Sequence, residues 1–169
     1  MKYSLGFLFL LCSFASMAQT DSLGDPYKRF PTIPPFNLLQ IDSSTHLTRD
    51  NIEKKHNTLI MFFSTDCPHC QHQTEEILAA MDSLKDVEIV MATYKPFNEM
   101  VDFYQKYQLA KYPNIKMGRD VQYFLVPFYN MKSLPYLALY DKRGMLITTF
   151  EGSQPIVKLY DAFEKKKEK

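Results

Sequence analysis

The chain has 169 residues, 46% of them hydrophobic, with 20 Lys and Arg against 19 Asp and Glu. A formal net charge of +1 leaves no basic excess for nucleic acid or an anionic membrane surface. The length suits one compact domain with its own core.

In chain order, the first residues read as a targeting segment. Lys2 supplies a positive start, Leu5 to Phe14 (LGFLFLLCSF) is an apolar run, and Ser16-Met17-Ala18 offers the small residues of a cleavage site. The run is shorter than the about 20 apolar residues of a spanning helix. A signal peptide over residues 1–18 is therefore expected, with Gln19 as the new N-terminus, export as the destination, and no membrane span in the mature chain. Cys12 would suit lipid anchoring, but Leu11 is bulky where that processing site prefers a small residue, so cleavage is favoured. With Lys2 the only charge in the lost piece, the remainder carries as many basic as acidic residues.

Residues 19–35 (QTDSLGDPYKRFPTIPP) are polar and proline-rich and read as an extended leader. Phe36 to Ile41 is a first strand, followed by a polar turn, SSTHLTRDN, with room for a helical turn. Leu59 to Ser64 (LIMFFS) is a continuous apolar run, the pattern of a strand buried on both faces. Proline at the first position of a helix costs no hydrogen bond, so a helix is expected from Pro68, with Cys70, Thr74, Ile77, Leu78 and Met81 on its apolar face. Val87 to Ala92 (VEIVMA) is the next strand, and the strand–helix–strand order predicts a right-handed parallel crossover.

A second helix is expected near Asn98 as its cap, with Met100, Phe103, Tyr104 and Tyr107 as a core-facing stripe. Asn114 to Met117 reads as a short extra strand and Asp120 to Leu125 as a helical turn interrupted by Pro127. Tyr136 to Tyr140 and Met145 to Phe150 form a hairpin through Asp141-Lys142-Arg143-Gly144. A last helix places Ile156, Leu159, Tyr160 and Phe163 on one face, and residues 166–169 are a frayed tail. One domain over residues 36–165 follows, and the chain shows no internal repeat.

The chemistry concentrates in STDCPHCQHQ, residues 64–73. Once Cys12 is removed, Cys67 and Cys70 are the two cysteines left. A bridge across two residues closes almost no loop, so it is a poor structural staple. A strand that stops at Cys67 before a helix places this thiol at the helix N-terminus, where unpaired N–H groups and the macrodipole favour the thiolate. Pro68 and His69, between the cysteines, are the residues expected to tune it. An imidazolium at His69 would add to the effect, and the carboxylate of Asp66 would oppose it. Stabilising the reduced form in this way makes the disulfide a stronger oxidant. Cys70, a turn later on the apolar face, is expected to be buried and to resolve a mixed disulfide.

Two other chemistries use residues of this kind. A zinc or copper carrier could use the CPHC stretch, but a closed zinc site needs about four ligands and the motif supplies two thiols, with His69 or His72 as a third. His46 and His56 are distant in sequence. A thiol peroxidase would usually have a Thr-x-x-Cys loop and a partner arginine, and Ser64-Thr65-Asp66-Cys67 does not match that loop.

The strand, CPHC at a helix start, Ser133-Leu134-Pro135-Tyr136 before a later strand, and the YDKRG hairpin resemble the exported TlpA/ResA-like thiol–disulfide oxidoreductases of the bacteroidete type, within the thioredoxin-fold superfamily. The resemblance covers roughly residues 36–165. It implies an α/β fold with a mixed central sheet flanked by helices, a short N-terminal extension, and an insertion before the cis-proline strand. It further implies a cis Pro135 facing Cys67, with Leu134 and Pro135 binding substrate backbone, and a periplasmic location. Protein thiols and disulfides are the implied substrates, an upstream redox protein the implied partner, and the chain is expected to be a monomer needing no cofactor. Two positions depart from the pattern. Met61 stands where thioredoxin has a buried aspartate, and Gln73 where the TlpA/ResA-like pattern often has glutamate. Glu75 or Glu76 could take over as proton acceptor. The motif resembles that of periplasmic disulfide oxidases, whereas the domain resembles disulfide reductases, so both directions of electron flow stay open.

Overall fold

The computed structural model describes residues 24–53 and 55–165. The expected signal peptide, the first part of the leader and the frayed tail lie outside the described residues. The strands are β1 (Asn37–Gln40), β2 (His46–Thr48), β3 (Asn57–Phe63), β4 (Val87–Thr93), β5 (Ile115–Arg119), β6 (Tyr136–Tyr140) and β7 (Leu146–Glu151). The helices are α1 (Pro26–Arg29), α2 (Pro68–Ala79), α3 (Met81–Leu84), α4 (Phe97–Lys106), α5 (Leu125–Tyr129) and α6 (Ile156–Glu164).

All seven strands form one mixed sheet in the order β2-β1-β5-β4-β3-β6-β7. β3 runs parallel to β4 from Asn57–Val87 to Phe63–Thr93 and antiparallel to β6. Its continuous apolar run has the physical reason anticipated: both faces are covered. Leu59, Met61 and Phe63 face a core shared with Cys70, Ile77, Met100, Phe103, Leu159 and Phe163 of the helices. Ile60 and Phe62 face a second core with Ile33, Phe36, Leu125, Phe128 and Tyr129. Fully burying each such side chain contributes roughly 1.5–3 kcal/mol, which pins β3 at the centre of the sheet. The architecture is thioredoxin-like, with the β5–α5 segment inserted before β6.

Several elements differ from the sequence reading. The leader is not simply extended: residues 26–29 form a helical turn, Thr32 bridges Met145, and Ile33 is buried in the second core. β2 lies within the stretch expected to be a polar turn. Leu47 pairs with Leu38 of β1 and supplies its one buried apolar residue, too little to show as alternation. The α4 cap is Pro96, not Asn98. Its carbonyl accepts from the Met100 N–H at 3.1 Å, and a cap has no need of the N–H that proline lacks. Pro127 does not interrupt a helix but sits in the first turn of α5, where its missing N–H costs nothing. The buried carboxylate of Asp120 accepts there from the N–H groups of Phe124 at 3.1 Å and Leu125 at 2.8 Å. Tyr160 is 45% exposed, because Leu159 and Phe163 make the buried seam of α6 and Tyr160 lies to one side of it.

β5 runs two residues beyond its expected end and takes in Gly118. A Cβ at this position would lie 2.7 Å from the Leu38 Cβ, so only glycine allows β1 to pair this closely with β5.

Candidate functional site

β3 delivers the chain to a short loop, residues 64–66, and α2 starts at Pro68. Cys67 is the N-cap, with extended backbone (φ −83°, ψ 116°), and proline occupies the first helical position. The Cys67 N–H donates to the Ser64 carbonyl at 3.2 Å, and its own carbonyl accepts the first helical bond from Gln71 at 3.0 Å. Its Sγ accepts from the Cys70 N–H at 3.4 Å. The sulfur thus fills the role that a Ser or Asp oxygen plays at most helix starts.

The two thiols differ in environment as expected. Cys67 is half-buried, while Cys70 is fully buried in the first core, and both are unbridged. Burial first, and then the hydrogen-bonding Cys67 thiol beside it, push the Cys70 thiol well above the ordinary cysteine range. The charge of Asp66 acts in the same direction. Pro68 and His69 are exposed on the outer side of the first turn.

The loop before Cys67 is held from several sides. Asp66 accepts from Ser64 Oγ through one carboxylate oxygen and from Lys95 Nζ at 3.0 Å through the other. Lys95 also reaches Glu99 at 3.1 Å, and Glu99 accepts from Thr65 Oγ1 at 3.0 Å. Gln71 Nε2 of α2 donates back to the Thr65 carbonyl at 2.8 Å. The Ser64 and Lys95 hydrogen bonds hold the Asp66 carboxyl down to about 2. Sequence reasoning marked Asp66 but missed Lys95 and Glu99, which lie 29 and more residues away and meet it only because β4 pairs beside β3.

The Leu134–Pro135 peptide bond is cis. Phe62 of β3 pairs with Tyr136 of β6, so Pro135 arrives at the end of the sheet from which the 64–66 loop departs. Its carbonyl accepts from the Gly152 N–H at 2.8 Å, and Glu151 takes the Lys132 N–H at 3.1 Å and Ser133 Oγ at 3.2 Å. Leu134 is partly buried against both cores, and Ser133 before it is exposed.

Met61 lies in the first core with Cys70. Gln73, one turn beyond Cys70, is fully buried, and its Oε1 accepts from the Gln154 N–H at 2.6 Å and Ser153 Oγ at 3.2 Å. It ties α2 to the segment before α6. Neither alternative carboxylate shares that buried face: Glu75 is exposed and accepts from Tyr107, and Glu76 faces His72 at 3.7 Å. Among the described residues, no three His, Cys, Asp or Glu side chains converge as a metal site would require. No helix among them is long and apolar enough to cross a membrane.

A half-exposed sulfur at a helix N-terminus, a buried thiol bonded to it through its own N–H, and a cis proline at the same sheet end form an arrangement suited to thiol–disulfide exchange. No curated sequence gives a match. Among solved structures, the fold is similar to a secreted Mycobacterium tuberculosis disulfide oxidoreductase homologous to E. coli DsbE, at 17% identity over 76% of this chain and 93% of that one, with a TM-score of 0.62. It is also similar to StoA from Bacillus subtilis (19% identity, 78% and 98% covered, TM-score 0.59). A third is the pneumococcal exposed lipoprotein thioredoxin Etrx1 from Streptococcus pneumoniae (19% identity, 77% and 98% covered, TM-score 0.60). The model of the thioredoxin-like domain matches residues 46–167, most of the sequence, and the chain belongs to the thioredoxin-like family.

Proposed function

We propose that the chain is an exported thiol–disulfide oxidoreductase of the TlpA/ResA-like kind, which exchanges a Cys67–Cys70 dithiol and disulfide with protein substrates. The observation that carries this reading is the asymmetry of the pair: the N-cap sulfur of Cys67 is accessible, and Cys70 is buried within hydrogen-bond reach of it. In the reducing direction, the Cys67 thiolate attacks one sulfur of a client disulfide. A Cys67–client disulfide forms, and the other client sulfur leaves as a thiolate and takes a proton from water. Cys70 then attacks Cys67 Sγ, the Cys67–Cys70 bond forms, and the Cys70 proton ends on the released client thiol. The client gains two electrons and the pair loses them. Oxidation of a client runs the same steps in reverse.

Leu134 and Pro135 are the residues read as receiving the client backbone, since they reach the sheet end that carries Cys67. Pro68 and His69 are read as tuning the first thiol. The metal-carrier alternative lacks a third convergent ligand among the described residues. Export to the periplasm rests on the LGFLFLLCSF segment and on similarity to proteins described as secreted or exposed. An intact mass starting at Gln19 in periplasmic protein supports it, and a retained, acylated Cys12 would replace it with a lipoprotein.

The exchange itself is tested by trapping. Cys70→Ser accumulates mixed disulfides with client proteins because the second step is lost, and Cys67→Ser traps few. Trapping only through Cys70, or tight one-to-one metal with no insulin reduction or thiol oxidation, would overturn the assignment. The reduction potential of the pair in a glutathione series sets the direction: a value near that of thioredoxin marks a reductase, and a far more positive one an oxidase or isomerase.

A further inference from the structure

Asp66 immediately precedes the cap of α2, where a carboxylate is an able competitor for the helix N-terminal N–H groups. It does not take that role. Both of its oxygens are occupied elsewhere, by Ser64 Oγ and by Lys95 Nζ, and the Cys70 N–H is left to Cys67 Sγ. Lys95 is itself held: its Nζ spans Asp66 at 3.0 Å and Glu99 at 3.1 Å, and its side chain is only 18% exposed. Glu99 is fixed in turn by Thr65 Oγ1 at 3.0 Å.

We propose that Lys95 is a positioning residue for the thiol pair, holding the Asp66 carboxylate away from the α2 N-terminus so that this terminus serves the Cys67 sulfur. The inference rests on the reading of Cys67 as the attacking thiol. Asp66 is two-thirds exposed, so simple charge pairing with Lys95 is screened and worth little. The larger consequence is geometric. Without Lys95, the carboxylate has a free oxygen one residue from the orphan N–H groups of the helix. An anion bound there removes the stabilisation that the thiolate would draw from the same groups. The other charged groups near this loop are Glu99, Asp102 and Lys106 of α4, which line the same cleft as Thr65 and Asp66, and His69 on the first turn of α2. The Cys70 thiol is buried in the first core. Tyr94 adds a hydroxyl 3.5 Å from Ser64 Oγ.

The test is the pH profile of Cys67 alkylation by iodoacetamide in the reduced full chain, which reads the thiolate without requiring any exchange activity. Lys95→Met moves the midpoint to higher pH and slows alkylation at pH 6–7 by about two- to fivefold, the range expected for losing a helix-terminus interaction. Lys95→Arg keeps the wild-type profile. Asp66→Asn added to Lys95→Met restores it, and Asp66→Asn alone leaves the midpoint unchanged or lowers it. An unchanged profile in Lys95→Met, or a shift that Asp66→Asn fails to reverse, overturns the proposal. Should Lys95→Met fold poorly, a raised midpoint in Asp66→Asn alone overturns it equally. Insulin reduction and client trapping are scored separately, so loss of the proposed exchange function with the alkylation pattern intact would strike the function and leave this inference standing.

Discussion

The backbone N–H of Cys70 donates to Cys67 Sγ across 3.4 Å, so the sulfur of the first cysteine caps the helix that carries the second. The bond sets the partial positive end of the N–H dipole beside the Cys67 sulfur while the Cys70 side chain stays inside the core.

The two thiols are therefore expected to react at different rates. Alkylation of the reduced protein just below neutral pH labels Cys67 well before Cys70, with a ratio of about tenfold or more, because attack requires an accessible thiolate. Peptide mass mapping against time measures this directly. Equal labelling would mean that Cys70 is not shielded.

Cys70 also makes the reduced protein alkali-sensitive. Its folded-state thiol titrates above the unfolded one, because burial disfavours the thiolate. Its contribution to stability is therefore fully present below the unfolded range and is lost as pH rises from about 9 towards the folded value, at up to about 1.4 kcal/mol per pH unit. Urea unfolding of the reduced protein between about pH 9 and 10, below the range in which the buried tyrosines add their own slope, is expected to show this loss, and Cys70→Ala is expected to reduce it there.

Gln73 predicts a stability effect rather than an acid–base one. Gln73→Leu leaves the Gln154 N–H and the Ser153 hydroxyl without their acceptor, at a cost of about 1–3 kcal/mol. Gln73→Glu keeps the acceptor oxygen and is expected to cost less near neutral pH. Denaturant midpoints of the two variants give the comparison.

On the opposite face of the sheet, the hydroxyls of Tyr129 and Tyr140 lie 2.5 Å apart in the second core, both fully buried. Burial raises both phenols above the ordinary tyrosine range, so the neutral pair is the one folding selects. Tyr140→Phe strands the Tyr129 hydroxyl and costs about 1–3 kcal/mol, as does the reverse change. The double Phe variant costs clearly less than the sum, because no buried hydroxyl is then left alone. A thermal or urea double-mutant cycle tests the coupling.

Local pattern was enough to determine much of this protein. The apolar run before Cys67 and Pro68 after it place a thiol between a two-sided strand and a helix start, because burial and backbone geometry act over a few residues. The hairpin at Asp141–Gly144 and the buried position of Cys70 were legible for the same reason. What lay beyond reach depended on partners far away in sequence. The leader carries Ile33, one apolar residue among prolines, and only the second core gives it a place. β2 exists because β1 lies beside it, and Gly118 matters because Leu38 packs against it. Asp66 reads in the sequence as a charge opposing the thiolate. Its tie to Ser64 is local to the loop, but its tie to Lys95 was decided by the pairing of β3 with β4, which brings the segment after β4 back to the loop after β3. Hydrogen bonds of this kind are set by register across the sheet, and no period in the chain encodes them.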